Sequence, residues 1–462
     1  MENVDRVIQV IGDFGMSLMF FNVIPFISGQ KIEFLIAVLT LVSLIFTVIL
    51  KFPNFRFIIP GLKLLNNLKY EKTNETNAVT SNKAFWSTIS GIVGVGNIAG
   101  MSAAIFIGGP GTVFWILIFG FITMPLRYME IYFGHKLRKV ENSEIQACGP
   151  FAYIEYTAKQ MKSKFLGNFL VKFFTIGILF ASVGAISFQA NPMVNSVAGS
   201  NISASGKITI SLIIAIGVLY VITGGIQKIV SITAKMGSYM SGLYIVSVCA
   251  IIASNWHNIP FALKLIMSEA INPTPTSFCG GVLTMIFFEF RRATIASEIG
   301  LGTGALLHGM SSRKSSSDEA KVGMLAPFFG SLIFCSLNGL MLVVAGAYNL
   351  GDGGIETMRA TFVTFHPLMN YVLIAIIYMF GLSTIIVWFY FAQSALAKLT
   401  TKKAALKGLP YFYAVVVFLT GITTFGTLLP IIDLTVTSLI IPNVFALIYL
   451  TYKFKKQGDK FI

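Results

Sequence analysis

Charged side chains are scarce in this sequence, and their scarcity excludes most classes of protein. Only 11% of the 462 residues are Asp, Glu, Lys or Arg, against about 25% in typical soluble domains. Hydrophobic residues make up 55%, Phe alone accounts for 41, and the mean hydropathy is +0.77. A soluble protein of this length could not cover its surface with so little charge, and a disordered chain would be far more polar. The composition therefore predicts an integral membrane protein surrounded by lipid.

Cysteine and histidine are rare as well, with four of each. The cysteines form no CxxC pair, and no histidine has a partner at metal-ligand spacing: Cys148, Cys249, Cys279, Cys335, His135, His257, His308 and His366. A membrane enzyme would need a paired acid, base or nucleophile, and we find none. We therefore expect neither an enzyme nor a bound metal or organic cofactor.

Long uncharged runs, by contrast, are abundant. About 20 apolar residues cross a bilayer as a helix, and we predict eleven spans, lettered A to K: about 31–50, two in the run 84–126, 168–196, 207–224, 236–255, 279–304, 321–346, 367–397, 408–427 and 432–453. The run 84–126 is too long for one crossing, and Gly108-Gly109-Pro110-Gly111 divides it into B and C. Residues 7–27, interrupted by Asp13 and Pro25, are expected to lie at the interface or to re-enter the membrane.

The Lys and Arg residues behind the net charge of +15 are concentrated in every second connection between the predicted spans. Of the 34 Lys and Arg residues, 25 lie in the segments A–B, C–D, E–F, G–H and I–J and in the tail after K, whereas five lie on the opposite side. Basic residues concentrate in cytoplasmic loops. The pattern predicts a multi-pass protein of the plasma (cell inner) membrane with its N-terminus outside and its C-terminus in the cytoplasm. It gives no reason to expect a nucleic-acid partner.

Span B is a poor helix in an informative way. Ser90–Gly100 contains four glycines, and each costs roughly 1 kcal/mol against Ala in a helix interior. Asn97 adds a polar group at mid-membrane depth. Gly96 and Gly100 also fit close helix packing, whose small residues recur every four positions, but Gly91 and Gly94 do not keep this spacing together with Gly96. We predict unwinding near 94–97.

Span G repeats the pattern in the stretch Ala296–Gly304, where glycines again gather beside polar groups. Glu298 is an ionisable residue within the membrane and therefore a candidate functional residue. The alternative is a purely structural ion pair between Glu298 and Arg291 or Arg292.

Five spans separate the two broken helices, so B–F (83–255) and G–K (279–453) form two five-helix sets of opposite orientation. Paired broken helices in inverted repeats mark the binding site of secondary transporters. Residues 1–82 then form an N-terminal segment with the extra span A, and 454–462 form a cytoplasmic tail of one transmembrane domain.

The stretch GNIAGMSAAIFIGGPGTVFWILIFGF, residues 96–121, resembles the signature of the sodium:alanine (alanine or glycine:cation) symporter family. The resemblance continues in order along the chain, through Glu130, Arg138, Gln189-Ala190-Asn191, TGGIQKI at 223–229, Arg292, SEIGLGTG at 297–304, His308, Met324–Phe328, Ser383-Thr384-Ile385, Trp388 and Ile441-Pro442-Asn443. It implies an all-α inverted five-plus-five fold of the leucine-transporter type. It also implies sodium-coupled uptake of alanine, glycine or a similar small neutral amino acid, with sodium as the coupling ion.

The resemblance also implies site residues. Gln189, Thr384 and Trp388 match positions that face the substrate, and Gly94 and Gly96 lie in the unwound part of B. Asn97 and Glu298 match the polar groups of the two broken helices. Val95 stands where the family usually has Thr. The resemblance therefore predicts the fold but leaves other amino acids open as the substrate.

We hypothesise that amides of Gly94, Val95, Gly96 and Asn97 hold the carboxylate of an amino acid. Gln189 and carbonyls of broken G would take its ammonium group, and Trp388 and Ile295 would bound a small side-chain pocket. The alternatives are an interfacial anchor for Trp388 and an interhelical hydrogen bond for Gln189.

A cation would lie between B and the side chains of Asn97, Ser383 and Thr384, since oxygen ligands suit a hard ion. The Ser and Thr hydroxyls can instead bond back to their own helix. Glu298 and Arg292 would serve as intramembrane charges that gate access. Other amino acids, proton coupling, a channel and a transport-inactive sensor or scaffold remain as alternatives.

Overall fold

The structure, a computed structural model, describes residues 17, 19–23, 32–66, 78–141, 144–198, 203–224, 226–272, 282–350, 354–423 and 433–462. It is helical apart from one short ribbon. The helices are α1 (Phe34–Ile49), α2 (Pro53–Arg56), α3 (Ile58–Asn66), α4 (Ser81–Ile92), α5 (Gly96–Gly108), α6 (Thr112–Lys136), α7 (Gly149–Gln160), α8 (Lys164–Ala198), α9 (Ala204–Ile222), α10 (Ile226–Ser254), α11 (Ile259–Ile271), α12 (Val282–Ser297), α13 (Gly304–Gly309), α14 (Ser316–Val344), α15 (Ile355–Phe365), α16 (Met369–Leu399), α17 (Lys403–Ile422) and α18 (Asp433–Lys456).

Eight of the described helices are long and apolar enough to cross a membrane, and the bent pair α4–α5 makes a ninth. They match the predicted spans B to F and H to K. The expectation of eleven full-length spans is not met, because spans A and G appear as α1 and α12, each of 16 residues. A helix of 16 residues is shorter than the hydrocarbon layer requires when it stands alone. Within the described residues, α12 begins at Val282 and ends at Ser297, just before the predicted break.

Local sequence signals fix several helix ends. Span B ends where predicted, since α5 stops at Gly108 and α6 starts at Thr112, with Gly109 in the left-handed region at φ +78°. The Thr80 hydroxyl accepts a hydrogen bond from the amide of Lys83 at 3.3 Å and so caps α4. The predicted interfacial segment 7–27 lies outside the described residues except for 17 and 19–23.

Several short elements were not expected from the sequence. Strands β1 (Lys139–Glu141) and β2 (Glu144–Ala147) pair antiparallel just after α6. The helices α11 and α15 lie in the connections between the predicted spans F and G and between H and I. The strands are too short to show a two-residue alternation of apolar side chains, which is the usual signal of a strand.

The long helices pack around a shared core, with α16 along α8 and with α10 and α16 against α4. The helix α6 crosses α14 at very short range. A Cβ added at Gly120 of α6 would collide with the Cβ of Ser331, so only glycine fits there. The helices α9 and α17 lie on the outside and expose apolar side chains along one face, as expected for helices in lipid.

Contacts at one end of the bundle join five of the six basic segments, and we call this the basic end. Val79, before α4, forms a short parallel bridge with Ser311, between α13 and α14. The Arg138 guanidinium, after α6, donates to the carbonyl of the same Ser311. Further ion pairs connect Lys136 with Asp459 at 2.7 Å and Lys398 with Glu155 at 3.7 Å. These segments therefore lie on the same side, as their common charge predicts.

The last residues of the chain run back against α6. The Tyr128 hydroxyl donates to the carbonyl of Phe461 at 2.7 Å. The Phe461 ring is 6% exposed and packs edge-on against the rings of Tyr132 and Phe133. The C-terminal residues thus cover the end of α6.

Candidate functional site

The first helix break lies between α4 and α5, which meet at an angle of 52°. At Val93 the backbone leaves the helical region, with φ −85° and ψ 84°. The chain re-enters a helix through a π-helical turn, Gly96–Gly100. The Gly94 amide bonds to Ile92 O at 3.0 Å and to Asn97 Oδ1 at 3.3 Å. The predicted unwinding near Gly94 is therefore present, and Asn97 replaces part of the lost helical bonding.

Neighbouring helices satisfy several other polar groups of this break. Gln189 of α8 accepts the Val95 amide at Oε1, at 2.9 Å. The Asn338 amide of α14 donates to the carbonyls of Asn97 and Ile98 at 3.0 and 2.9 Å. These bonds explain how an unwound backbone persists at membrane depth, where unpaired amides are costly.

The second break follows α12 and holds three residues in the left-handed region. The φ angles are +51° at Glu298, +80° at Gly300 and +79° at Gly302. Glycine adopts this conformation freely, but it costs roughly 1–2 kcal/mol at a residue with a side chain. The surrounding contacts must therefore hold Glu298 in place.

A buried ion pair on α6 supplies those contacts. The Nη2 atom of Arg127 donates to the carbonyls of Ser297 and Glu298, both at 2.8 Å. Its Nη1 atom lies 3.1 Å from Oε2 of Glu130, and both side chains are fully buried. The guanidinium thus caps the carbonyl end of α12, where the helix dipole favours a positive charge.

The Glu130 carboxylate and Asn443 of α18 hold the rest of the second break. Glu130 Oε1 accepts the Gly302 amide at 3.1 Å and the Asn443 amide at 2.8 Å. Asn443 Nδ2 also donates to the Gly300 carbonyl at 2.8 Å, and its Oδ1 accepts the hydroxyl of Tyr153. In each of these hydrogen bonds, the donor residue and the acceptor residue are more than 140 positions apart along the chain.

The Glu298 side chain bonds a hydroxyl of its own break and pairs with neither arginine of α12. Its Oε2 atom accepts the Thr303 hydroxyl at 2.6 Å, and the Trp388 indole lies beside the same carboxylate. The alternative of an ion pair with the arginines of α12 is wrong. Those arginines have other partners: Arg291 with Glu33 at 3.1 Å, and Arg292 with Asp433 at 3.7 Å.

Both breaks border one cavity of about 80 Å³, which has room for several water molecules or one small solute. Most of its wall is apolar, with a few polar groups converging on it, as in small-molecule sites. The wall is formed by Gly91, Ile92, Gly94, Gly96, Asn97, Gly100, Met101, Ala104, Ile116, Ala185, Phe188, Gln189, Arg292, Ala293, Ile295, Ala296, Glu298, Cys335, Thr384, Trp388 and Val436.

Nine of the residues singled out from the sequence line this cavity: Gly94, Gly96, Asn97, Gln189, Arg292, Ile295, Glu298, Thr384 and Trp388. Val95 and Ser383 do not. The Val95 amide is bound by Gln189, and its side chain packs toward Gly381. Trp388 is 2% exposed, so its alternative as an interfacial anchor is excluded.

The two hydroxyls of α16 converge on the last turn of α4. The Ser383 hydroxyl donates to Ser90 O at 3.2 Å and to Phe380 O of its own helix at 3.1 Å. The Thr384 hydroxyl donates to the same Ser90 carbonyl at 2.9 Å. Three oxygen atoms from two helices therefore lie together beside the first break.

Sequence reasoning assigned no role to the residues that hold the breaks, namely Arg127, Asn338 and Asn443, or to the buried acids Glu289 and Asp433. For Arg127, Glu289 and Asn338 a signal existed, because polar and ionisable residues inside spans are rarely incidental.

A model of the sodium:alanine symporter family matches residues 18–462. The sodium/alanine symporter AgcS of Methanococcus maripaludis is 28% identical over 72% of this chain and 73% of its own length. The sodium/proton-dependent alanine carrier protein of Bacillus sp. (strain PS3) is 27% identical over 76% and 79%, respectively. The probable sodium/glutamine symporter GlnT of Bacillus subtilis is 25% identical over 80% and 76%.

Two solved structures share the fold. A Na⁺-coupled sialic acid symporter in a substrate-bound outward-open state superposes with a TM-score of 0.52 and 13% identity, over 91% of this chain and 84% of that one. MhsT in complex with L-phenylalanine superposes with a TM-score of 0.51 and 14% identity, over 82% and 89%. The architecture is therefore of the leucine-transporter type.

Proposed function

Since the chain belongs to the sodium:alanine symporter family, as the match over residues 18–462 shows, we propose that it couples sodium entry to uptake of a small neutral amino acid, alanine or glycine, by alternating access. One observation carries the proposal: both helix breaks open onto the same cavity of about 80 Å³. Such a site between two broken helices is the arrangement by which secondary transporters bind substrate and coupling ion. A cavity of this size favours a small side chain.

The roles of the cavity residues follow from charge and position. The substrate carboxylate would lie at the amides of 94–97, where the N-terminal end of α5 favours negative charge. Gln189 Oε1, which lies 2.9 Å from the Val95 amide, and the carbonyls near Glu298 would receive the ammonium group. Trp388 and Ile295 would limit the length of the side chain.

The sodium ion would use the oxygen atoms beside the first break. Ser383, Thr384 and the Ser90 carbonyl already converge there, and Asn97 lies on the adjoining wall of the cavity. Hydroxyl and carbonyl oxygens are the ligands that hard cations prefer. Binding there would tie α16 to α4 and so couple ion binding to the substrate cavity.

The basic residues support a plasma-membrane orientation with the C-terminus in the cytoplasm. In that orientation the basic end faces the cytoplasm, and its contacts close the site on that side. The sets 83–255 and 279–453 would be the two inverted repeats, whose relative rocking exposes the cavity to each side in turn.

Purified protein in liposomes with an imposed sodium gradient tests this function. We expect gradient-driven alanine uptake, and we expect both E298Q and T384A to lower it by at least about tenfold, a loss of about 1.4 kcal/mol. The matched controls are D318N, which changes a carboxylate that pairs with Lys321 three residues later, and S394A, whose hydroxyl bonds to its own helix at Tyr390 O. Both should transport like the wild type.

Each other result has a definite meaning. Unchanged uptake in both E298Q and T384A would refute the site assignment. Uptake driven by a proton gradient instead of sodium, or of glutamine instead of alanine, would replace the ion or the substrate. Ohmic current would identify a channel, and the absence of any flux would identify a sensor or scaffold.

Glycine substitutions on α4–α5 give a second test. A Cβ at Gly94 would lie 2.9 Å from both amide heteroatoms of Gln189 and 3.0 Å from Thr384 Oγ1. We therefore expect G94A to lower uptake about tenfold or more by blocking the cavity. Gly100 lines the same cavity, but a Cβ there meets no atom within 4 Å. G100A should retain uptake within about twofold, and equal losses in the two variants would contradict this steric account.

A further inference from the structure

Glu289 of α12 differs from the other buried acids of the described residues. It is fully buried, and neither of its carboxyl oxygens has a hydrogen-bond partner. The remaining buried acids each have a donor or an arginine: Glu33, Glu130, Glu298, Glu319 and Asp433. An ionised carboxylate without a partner in a membrane interior is among the most costly groups a protein can hold.

The nearest backbone makes a negative charge still less favourable. The Oε1 atom of Glu289 lies where a Cβ on Gly108 would be only 3.0 Å away. Gly108 is the last residue of α5, whose carbonyl end carries the negative part of the helix dipole. A carboxylate is repelled by such carbonyls, whereas a neutral carboxyl group carries no charge for them to repel.

The charges around Glu289 balance without it. On its own helix, Arg291 is paired with Glu33, the residue that precedes α1, and Arg292 is paired with Asp433 of α18. The packed segment of α14 presents only the Cys335 thiol, and α5 carries no titratable side chain. Ionisable groups of α6 lie toward its opposite end, from Arg127 onward, and Glu269 of α11 reaches Gly109.

Two arginines thus face two acids, and an ionised Glu289 would add one uncompensated negative charge. A sodium ion is no remedy, since it needs several oxygen ligands and the Glu289 carboxyl has no polar atom within hydrogen-bond distance among the described residues. A proton neutralises the group without any further ligand.

We propose that Glu289 is a proton-binding site of the membrane domain. In this conformation its carboxyl group carries a proton at neutral pH, and it releases the proton when water reaches the contact between α5 and α12. Glu289 precedes the cavity-lining Arg292 and Ala293 by about one helical turn, so its protonation state is felt at the cavity wall. Its link to uptake rests on the proposed function, but the protonation itself does not.

Infrared difference spectroscopy of the purified protein tests the protonation directly. We expect the wild-type-minus-E289Q spectrum at about pH 7 to contain the carbonyl stretch of a protonated carboxyl group. E155Q is the matched control. Partial burial raises the pKa of Glu155, but hydrogen bonds from Lys139 and Lys159 outweigh burial and bring that pKa to about 2. The wild-type-minus-E155Q spectrum should therefore contain only carboxylate bands. Loss of carboxylate bands in E289Q would overturn the proposal.

If E289Q does not fold, a pH titration of the wild type, followed by infrared spectroscopy, tests the protonation instead. The protonated band should persist through neutral pH and disappear only in alkaline buffer, and its absence at pH 7 would refute the site. In liposomes, wild-type uptake should change severalfold between about pH 6 and pH 8, while the E289Q curve should be flat. A pH-dependent E289Q curve would also contradict the link to transport. Failure of alanine uptake in the wild type would instead concern the proposed function.

Discussion

Replacing Arg127 with Met should lower the free energy of unfolding by about 3–5 kcal/mol, because it leaves a buried carboxylate without its counter-charge. The variant loses the 3.1 Å ion pair with Glu130 and the two bonds to the carbonyls of Ser297 and Glu298. Thermal unfolding in detergent, followed by tryptophan fluorescence, measures the loss. A second variant, R127M/E130Q, removes both charges and should recover part of the stability.

The matched control is K136M at the end of the same helix. Lys136 pairs with Asp459 at 2.7 Å, but both side chains are about one-third exposed, and such pairs contribute about 0–1 kcal/mol. Equal melting temperatures for R127M and K136M would show that the buried pair does not support the second break.

Replacing Glu319 with Ala should open the basic end, with a shift of about a hundredfold in the equilibrium between closed and open forms. Glu319 is fully buried and accepts from the Ser81 and Ser311 hydroxyls and from His308, with Arg313 at 3.4 Å. Ser81 is the first residue of α4, so this carboxylate connects the first broken helix to the loop before α14. Removing one member of such a network costs about 3 kcal/mol, which is about a hundredfold.

Hydrogen exchange of the α4 amides measures this opening, because amides exchange faster when their helix separates from its neighbours. Exchange in α4 should rise in E319A while α17 keeps its protection, whereas a rise in both would indicate general unfolding. Asp318 supplies the control, since its carboxylate pairs with Lys321, three residues later and near the surface. If D318N and E319A exchange alike, the carboxylate of Glu319 does not hold the basic end closed.

Both helix breaks could be predicted from the sequence because their cause is local. Glycines beside a polar residue weaken a helix wherever they lie, and the breaks occur at Val93–Val95 and around Glu298, within a few residues of the prediction. The predicted division of B from C at the glycine-proline turn is also confirmed, and its cause is equally local. The C-terminal end of span G was predicted at about 304 and lies at Ser297, since hydropathy alone does not show on which side of a break the helix ends.

The groups that stabilise the breaks could not be predicted, because they depend on contacts across the fold. Arg127 meets Ser297 across 170 positions, and Asn338 meets Asn97 across 241. A single sequence contains no record of such pairs. The alternative of an ion pair between Glu298 and Arg291 or Arg292 was wrong for this reason: the acids that pair with these arginines, Glu33 and Asp433, come from distant parts of the chain.

Because Phe461 covers the end of α6, this part of the fold can be completed only after the last residues of the chain have been synthesised. The rings of Tyr132 and Phe133 and the hydroxyl of Tyr128 leave the ribosome roughly 330 residues before the segment that covers them. At about 5–20 residues per second this interval lasts tens of seconds. During synthesis the end of α6 must therefore wait with an uncovered aromatic surface, and a chain that stops a few residues early never completes it.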